Sequence, residues 1–280
     1  MCQKNLLAIA FCVVMYGNFE VSSRPLELYQ KKERANMATR FWDERFSTDE
    51  YIYGENPNDF IRERVHLLDG QDDPRVLDLA CGEGRNSVYL AKQGYAVTAL
   101  DFSSVGIEKT HALASKNSIP VYNLITNGSD SAQELKGCAD LDSTFDHGID
   151  LDPEKQKPGS INIVCTDALR WTPSYPYPLV VATFFHLWSD KKPKLFDLYR
   201  NLLKPGGRMV TEWFHTRQRI HGYESGGPRE AEMLVTADEL RAAFSDFEIL
   251  VCEELERELF EGPKHCGPAY VVRFEAQKPR

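Results

Sequence analysis

Arg75-Val76-Leu77-Asp78-Leu79-Ala80-Cys81-Gly82-Glu83-Gly84-Arg85-Asn86-Ser87 is the stretch from which the rest of the chain is read. Its first six residues form a short apolar run interrupted by one carboxylate, the pattern of a strand. Cys81 to Gly84 reads as a turn. Two closely spaced glycines permit backbone angles that other residues avoid and let the chain pass close under a ligand. Residues Arg85 to Lys92 have helical spacing, and Gly94 stops the helix as a C-terminal glycine does. The start of that helix offers N–H groups with no partner inside the helix, a natural seat for a bound group.

The same grammar continues outward. Tyr95 to Leu100 is a second strand, and Ser103 or Ser104 caps a helix reaching about Lys116. Pro178 to Phe185 is nearly all apolar and reads as a central strand buried on both faces. Leu195, Leu198, Tyr199 and Leu202 lie at helical spacing, and Pro205-Gly206-Gly207 is expected to end that helix and release a strand from Arg208 to Phe214. Thr236-Ala237-Asp238-Glu239 is a capping box opening a last helix. Phe247–Cys252 and Ala269–Phe274 close the chain as strands. The link between them, with Glu261-Gly262-Pro263, is too short and turn-rich for a crossover helix, so an antiparallel pair follows. The expected class is α/β, a mostly parallel sheet with helices on both faces.

Composition narrows the function. The chain has 280 residues, 42% hydrophobic and 27% charged, with a formal charge of −9. That is ample for a core without disulfides or a structural metal, and the acidic balance argues against a nucleic-acid partner. The apolar run Leu6 to Tyr16 is too short to span a bilayer as a helix. It follows Lys4 and precedes Val21-Ser22-Ser23, the order of a secretory signal peptide. Read differently, residues 1–36 are an extension upstream of a domain over residues 37–280. Seven cysteines with no CxxC pair favour a reducing, cytoplasmic setting over the secretory pathway. Between about Asn127 and Ser160 lie eight acidic residues and three lysines, read as a surface insertion within the domain. The acids lack the spacing of a calcium loop, and no metal site is expected.

Chemistry concentrates around the glycine turn. Asp78 sits inside the strand, where a carboxylate can take an ammonium group. Ser87 occupies the third-glycine position of the dinucleotide fingerprint, so the close packing that admits a pyrophosphate is missing. Asp101 ends the second strand, seventeen residues after Gly84, placed to accept both hydroxyls of a ribose. A cation at one end, a ribose at the other and no diphosphate describe S-adenosylmethionine better than NAD.

The run from Val76 to Leu90, followed by Gly94-Tyr95-Ala96-Val97-Thr98-Ala99-Leu100-Asp101, closely resembles class I S-adenosylmethionine-dependent methyltransferases. Within them it resembles the tellurite-resistance and thiopurine methyltransferase-like branch, whose Gly-Arg-Asn-Ser run matches residues 84–87. The resemblance extends to Phe41-Trp42-Asp43-Glu44-Arg45-Phe46, to Tyr53-Gly54-Glu55-Asn56-Pro57-Asn58, to Leu203-Lys204-Pro205-Gly206-Gly207 and to His265-Cys266-Gly267. It implies a Rossmann-like fold of seven strands with a C-terminal antiparallel pair. It implies that Gly82 and Gly84, with Ala80 and Asn86 beside them, approach the methionine part of the cofactor while Asp78 holds its amino group. Asp101 would bind the ribose and Phe102 pack on the adenine. Asp167 and Ala168 would meet the adenine edge, and Thr183 to His186 would line the methyl-transfer site.

Plainer roles compete with some of these. Asp167 fits a turn aspartate, and His186 is either a base or a satisfied histidine at a strand end. His215 and His265 read as structural or rim residues, and Arg45 and Arg85 either steer an anionic substrate or, more plainly, are surface ion-pair partners. Trp42 is expected as an aromatic lid over the sulfonium. The activity expected is methyl transfer to a small-molecule nucleophile, a thiol or chalcogen oxyanion, by in-line displacement. The competing readings are an NAD-dependent oxidoreductase and a non-catalytic binding protein on the same fold.

Overall fold

The computed structural model describes residues 37–65, 73–126 and 156–280, with the backbone alone over residues 123–126. Residues 39–280 form one compact unit, which carries the sheet. Residues 1–36, read as signal peptide or extension, lie outside the described residues, as does most of the acidic insertion read over residues 127–160.

Residues 39–46 are helical. Then come α1 (Asp59–Val65), β1 (Arg75–Leu79), α2 (Arg85–Lys92), β2 (Ala96–Asp101), α3 (Ser104–Lys116) and β3 (Val121–Thr126). After the undescribed residues follow β4 (Ser160–Cys165), β5 (Tyr177–Thr183), α4 (Lys192–Leu202), β6 (Leu203–Phe214), α5 (Arg217–Ile220), α6 (Ala237–Ala243), β7 (Glu248–Phe260) and β8 (Cys266–Gln277). The described strands form one eight-stranded sheet in the order β3-β4-β2-β1-β5-β6-β8-β7. All neighbours are parallel except β6 with β8 and β8 with β7.

The sequence explains this arrangement. Every residue of β2 is buried, as are Val76 to Leu79 of β1, because helices cover both faces of the sheet. One apolar cluster, with Trp171, Tyr199, Trp213 and Phe244, lies under α4 and α6. The opposite cluster, with Phe60, Leu90, Ile107 and Leu113, lies under α1, α2 and α3. Ser103 caps α3 by accepting from Gly106 N–H, and Thr236 caps α6 by accepting from Glu239 N–H. Among the described residues no helix is long and apolar enough to cross a membrane.

Three expectations are corrected. Among the described residues the sheet has eight strands rather than seven, the addition being β3 at its edge. Pro205-Gly206-Gly207 does not separate helix from strand, since β6 begins at Leu203 and carries the triplet as an irregularity between its pairings of Leu203 and Arg208. The closing strands are also far longer than the apolar runs that announced them, thirteen and twelve residues. In β7 the outer stretch is glutamate-rich (Glu253, Glu254, Glu256, Glu258), which guards an edge strand against unwanted pairing.

Candidate active site

The strand order reverses direction at β1, with β2 on one side and β5 on the other. Open α/β sheets hold ligands at such a switch point, beyond the carboxyl ends of the strands. The backbone after β1 is unusual there. Ala80 has φ +57°, Gly82 φ +57° and Gly84 φ +86°. A left-handed alanine is strained and is held only where its surroundings enforce it. At Gly84 a side chain is also barred by space, because a Cβ would stand 2.7 Å from two side-chain atoms of Thr110 on α3. The bend is tied down by Cys81 N–H donating to Leu100 O (2.9 Å) and Gly84 N–H donating to Cys81 O (3.0 Å).

Two carboxylates flank this bend. Asp101, at the end of β2, accepts from Gly82 N–H through Oδ2 and from Ser103 N–H through Oδ1, both at 2.9 Å. Burial pushes its carboxyl up to about 6, against the pull of those N–H groups. Asp78 is buried inside β1 and accepts from Ser87 Oγ at 2.6 Å through Oδ2. Its other oxygen, Oδ1, is buried without a hydrogen-bond partner, an open position that calls for a donor. Burial pushes this carboxyl up to about 7.

Around the bend, Asn86 on the first turn of α2 donates to Thr183 Oγ1 (3.1 Å) and accepts from Asn58 N–H (2.9 Å), joining β5 to the segment before α1. Phe46 covers the bend so closely that a Cβ on Gly82 would meet its ring at 3.4 Å. Trp42 packs on Phe46, ring centroids 5.4 Å apart, and lies 6.3 Å from Tyr53. The structure thus brings together Trp42, Asp78, Ala80, Gly82, Gly84, Asn86, Asp101 and Thr183. Ala168 is buried beyond β4, and half-buried Phe102 follows Asp101 directly.

Hydrogen bonding narrows two of the open alternatives. Asp167 Oδ1 accepts from Leu169 N–H at 2.9 Å, the turn aspartate geometry, and its other oxygen lies 3.8 Å from Arg170. His186 is committed at both nitrogens. Nδ1 lies 3.0 Å from Met233 O and Nε2 accepts from Phe214 N–H at 3.1 Å. This requires the neutral ring protonated on Nδ1, and burial holds its pKa down to about 3. No lone pair remains to take a proton, so the base role assigned to His186 is corrected to a structural one.

Sequence reasoning missed a buried ionic layer beside the bend. Arg85 is not at the surface: it is buried, pairs with Glu261 at 2.7 Å and donates to Tyr53 O. Glu83 binds Lys109 at 2.6 Å and accepts from Tyr53 N–H. Glu261 is held well below the usual carboxylate range. Burial alone would raise it, but Arg85, His265 and Arg257 together reverse that. His265 is buried against Tyr53 (4.3 Å between ring centroids) and Phe184 (4.6 Å). Arg85 and Glu261 lie far apart in sequence, as do Glu83 and Lys109, so no local pattern announces these pairs.

Comparison with known proteins agrees with this geometry. Residues 53–249 match a family model described as a methyltransferase domain. No curated protein matches the chain. Among solved structures it is similar to TehB from Haemophilus influenzae, at 18% identity and TM-score 0.52, covering 78% of this chain and 62% of that one. It is also similar to the N-methyltransferase NodS from Bradyrhizobium japonicum WM9 in complex with S-adenosyl-L-homocysteine, at 14% identity and TM-score 0.51, covering 86% and 98%. A third likeness is to the PH0226 protein from Pyrococcus horikoshii OT3, at 16% identity and TM-score 0.50, covering 83% and 97%. At these identities the likeness concerns the fold.

Proposed function

Because the chain belongs to the methyltransferase-domain family, we propose that it is an S-adenosylmethionine-dependent methyltransferase whose acceptor is a small molecule with a nucleophile already anionic near neutral pH, a thiolate or a chalcogen oxyanion. The observation that carries this reading is the commitment of both His186 nitrogens to backbone groups. A neutral hydroxyl or amine needs a base within hydrogen-bond reach, and the histidine at the carboxyl end of β5 offers none. A thiolate or oxyanion needs only alignment and the exclusion of water.

The bend suits the cofactor. The open Oδ1 of Asp78 takes its ammonium group, either directly or through a water, while the backbone from Ala80 to Gly84 and the side chain of Asn86 border its amino-acid portion. Asp101 retains lone pairs beyond those used by Gly82 and Ser103 and accepts from the ribose hydroxyls. Phe102 packs on the adenine, and Asp167 and Ala168 face its edge. When bound, the cofactor supplies an electrophilic methyl group on a sulfonium. Trp42 shields that end from water, and Thr183 borders the transfer path.

Two measurements test these assignments. Transfer of labelled methyl groups to matched thiol, selenol, amine and hydroxyl acceptors is expected to favour the first two by at least about tenfold; preference for the amine or hydroxyl contradicts the reading. The second follows from Asp78. Its folded pKa of about 7 lies above the ordinary 3.8, so its contribution to apo stability is fully present below about pH 4 and lost as pH rises through 7. An ammonium ligand favours the ionised carboxylate, so binding in acid must expel a proton. Cofactor affinity is therefore expected to rise by roughly tenfold or more from pH 5.5 to 7.5, and Asp78→Asn to flatten the profile. Affinity that is level, or that falls with rising pH, rules out this role.

A further inference from the structure

Arg45 differs from the other arginines around the site. Arg85 and Arg257 pair with Glu261, Arg257 and Arg273 with Glu212, and Arg64 with Glu275. Arg45 is half-buried yet meets no carboxylate among the described residues. Its only hydrogen bond there is Nε donating to Tyr53 OH at 2.8 Å. Its guanidinium carbon stands 5.8, 5.7 and 5.7 Å from the ring centroids of Phe41, Trp42 and Tyr53. Those rings hold the cation by cation–π attraction and limit its access to water. With Nε occupied, the terminal nitrogens keep their four N–H groups, a fork whose geometry matches two oxygens of one anion. Tyr53 accepts from Arg45, so its own O–H proton is left to donate toward the same place.

Arg45 connects to the methyl-transfer end by an unbroken series of ring contacts. Tyr53 packs at a tilt against His265, and His265 packs edge-on against Phe184, the residue after Thr183. Phe184 holds φ +57°, a conformation a bulky residue rarely adopts and one that clusters at functional sites. On the other side, Trp42 rests on Phe46, which covers Gly82. The uncompensated cation therefore belongs to the same aromatic layer that covers the bend at Gly82 and reaches Phe184 after β5.

The geometry points to Arg45 as an anion-binding residue of the acceptor pocket, and to a methyl acceptor carrying a carboxylate or an inorganic-type oxyanion that docks on its guanidinium. This rests on the methyltransferase reading of the bend and deepens it by naming the charge of the substrate. On a chain of net charge −9, a local cation is also what draws an anion inward against the general repulsion.

Calorimetric titration tests the inference with benzoate as the carboxylate probe, selenite as the oxyanion probe and benzamide as the neutral counterpart. Each is titrated with and without saturating S-adenosylhomocysteine. The wild type is expected to bind at least one of the two anions ten or more times more tightly than benzamide, and the stronger arm identifies which anion chemistry the pocket takes. Arg45→Gln is expected to bring that ratio close to one, Arg45→Lys to keep part of it, and raised salt to weaken it. Equal affinities in the wild type, binding of neither anion, or a preference that survives Arg45→Gln overturns the assignment. Failure of S-adenosylhomocysteine itself to bind strikes at the cofactor reading instead, while the probe ratio still decides this one.

Discussion

Arg257→Ala is expected to lower the unfolding free energy by about 3–5 kcal/mol, the usual cost of removing one partner from a buried charge cluster. Glu212, fully buried in β6, accepts from Arg257 Nη1 at 2.5 Å, Arg273 Nε at 2.8 Å and Asn58 Nδ2 at 2.9 Å. The second amino group of Arg257 reaches Glu261 at 2.8 Å and Asp59 at 2.9 Å. Removing it leaves two buried carboxylates, Glu212 and Glu261, and the partly exposed Asp59 sharing fewer cations. Glu212 stays above its ordinary value because burial outweighs the attraction of Arg257, so the protonated form tolerates the loss better. The deficit should therefore be largest near neutral pH and shrink as the solution is acidified. Denaturant melts at pH 5 and pH 7.5 read this directly; a loss below about 1 kcal/mol at both would mean that the cluster is solvated or relaxes freely.

Asp101→Asn is expected to weaken cofactor binding by about 100-fold, equivalent to about 3 kcal/mol. The carboxylate receives two backbone N–H groups at once, whereas an amide offers one oxygen and turns its own N–H₂ toward the second donor. The variant therefore loosens the bend and also withdraws an acceptor from the ribose. Thermal melting separates this from unfolding, since the variant should remain folded while its calorimetric affinity collapses. An affinity within threefold of wild type removes Asp101 from the binding account.

Much of this site is legible in the sequence alone, and the reason is locality. Residues 75–101 encode β1, the bend, α2 and β2 through burial period, glycines and one in-strand carboxylate, all within a single βαβ unit. Ser103 and Thr236 are legible because capping is a contact over three residues. The misses share the opposite property. Among the described strands Val121–Thr126 lies at the edge and pairs only with β4, and an asparagine within so short a run hides its period. The outer half of β7 alternates glutamate with Leu255, Arg257 and Leu259, and it is a strand because of its partner β8 and its ion pairs to β6. Arg85 looks like surface for the same reason, since Glu261, its partner, lies far along the chain. His186 fails as a base because its acceptor and donor partners, Met233 and Phe214, come from distant segments that fill both nitrogens.

On the proposed function, the bend between Asp78 and Asp101 holds S-adenosylmethionine. Side-by-side calorimetric titration of the wild-type protein with S-adenosylmethionine and with NAD tests it most directly. One molecule of S-adenosylmethionine per chain at micromolar affinity, with NAD at least a hundredfold weaker, is the predicted result; tighter binding of NAD, or no heat from either, would contradict it.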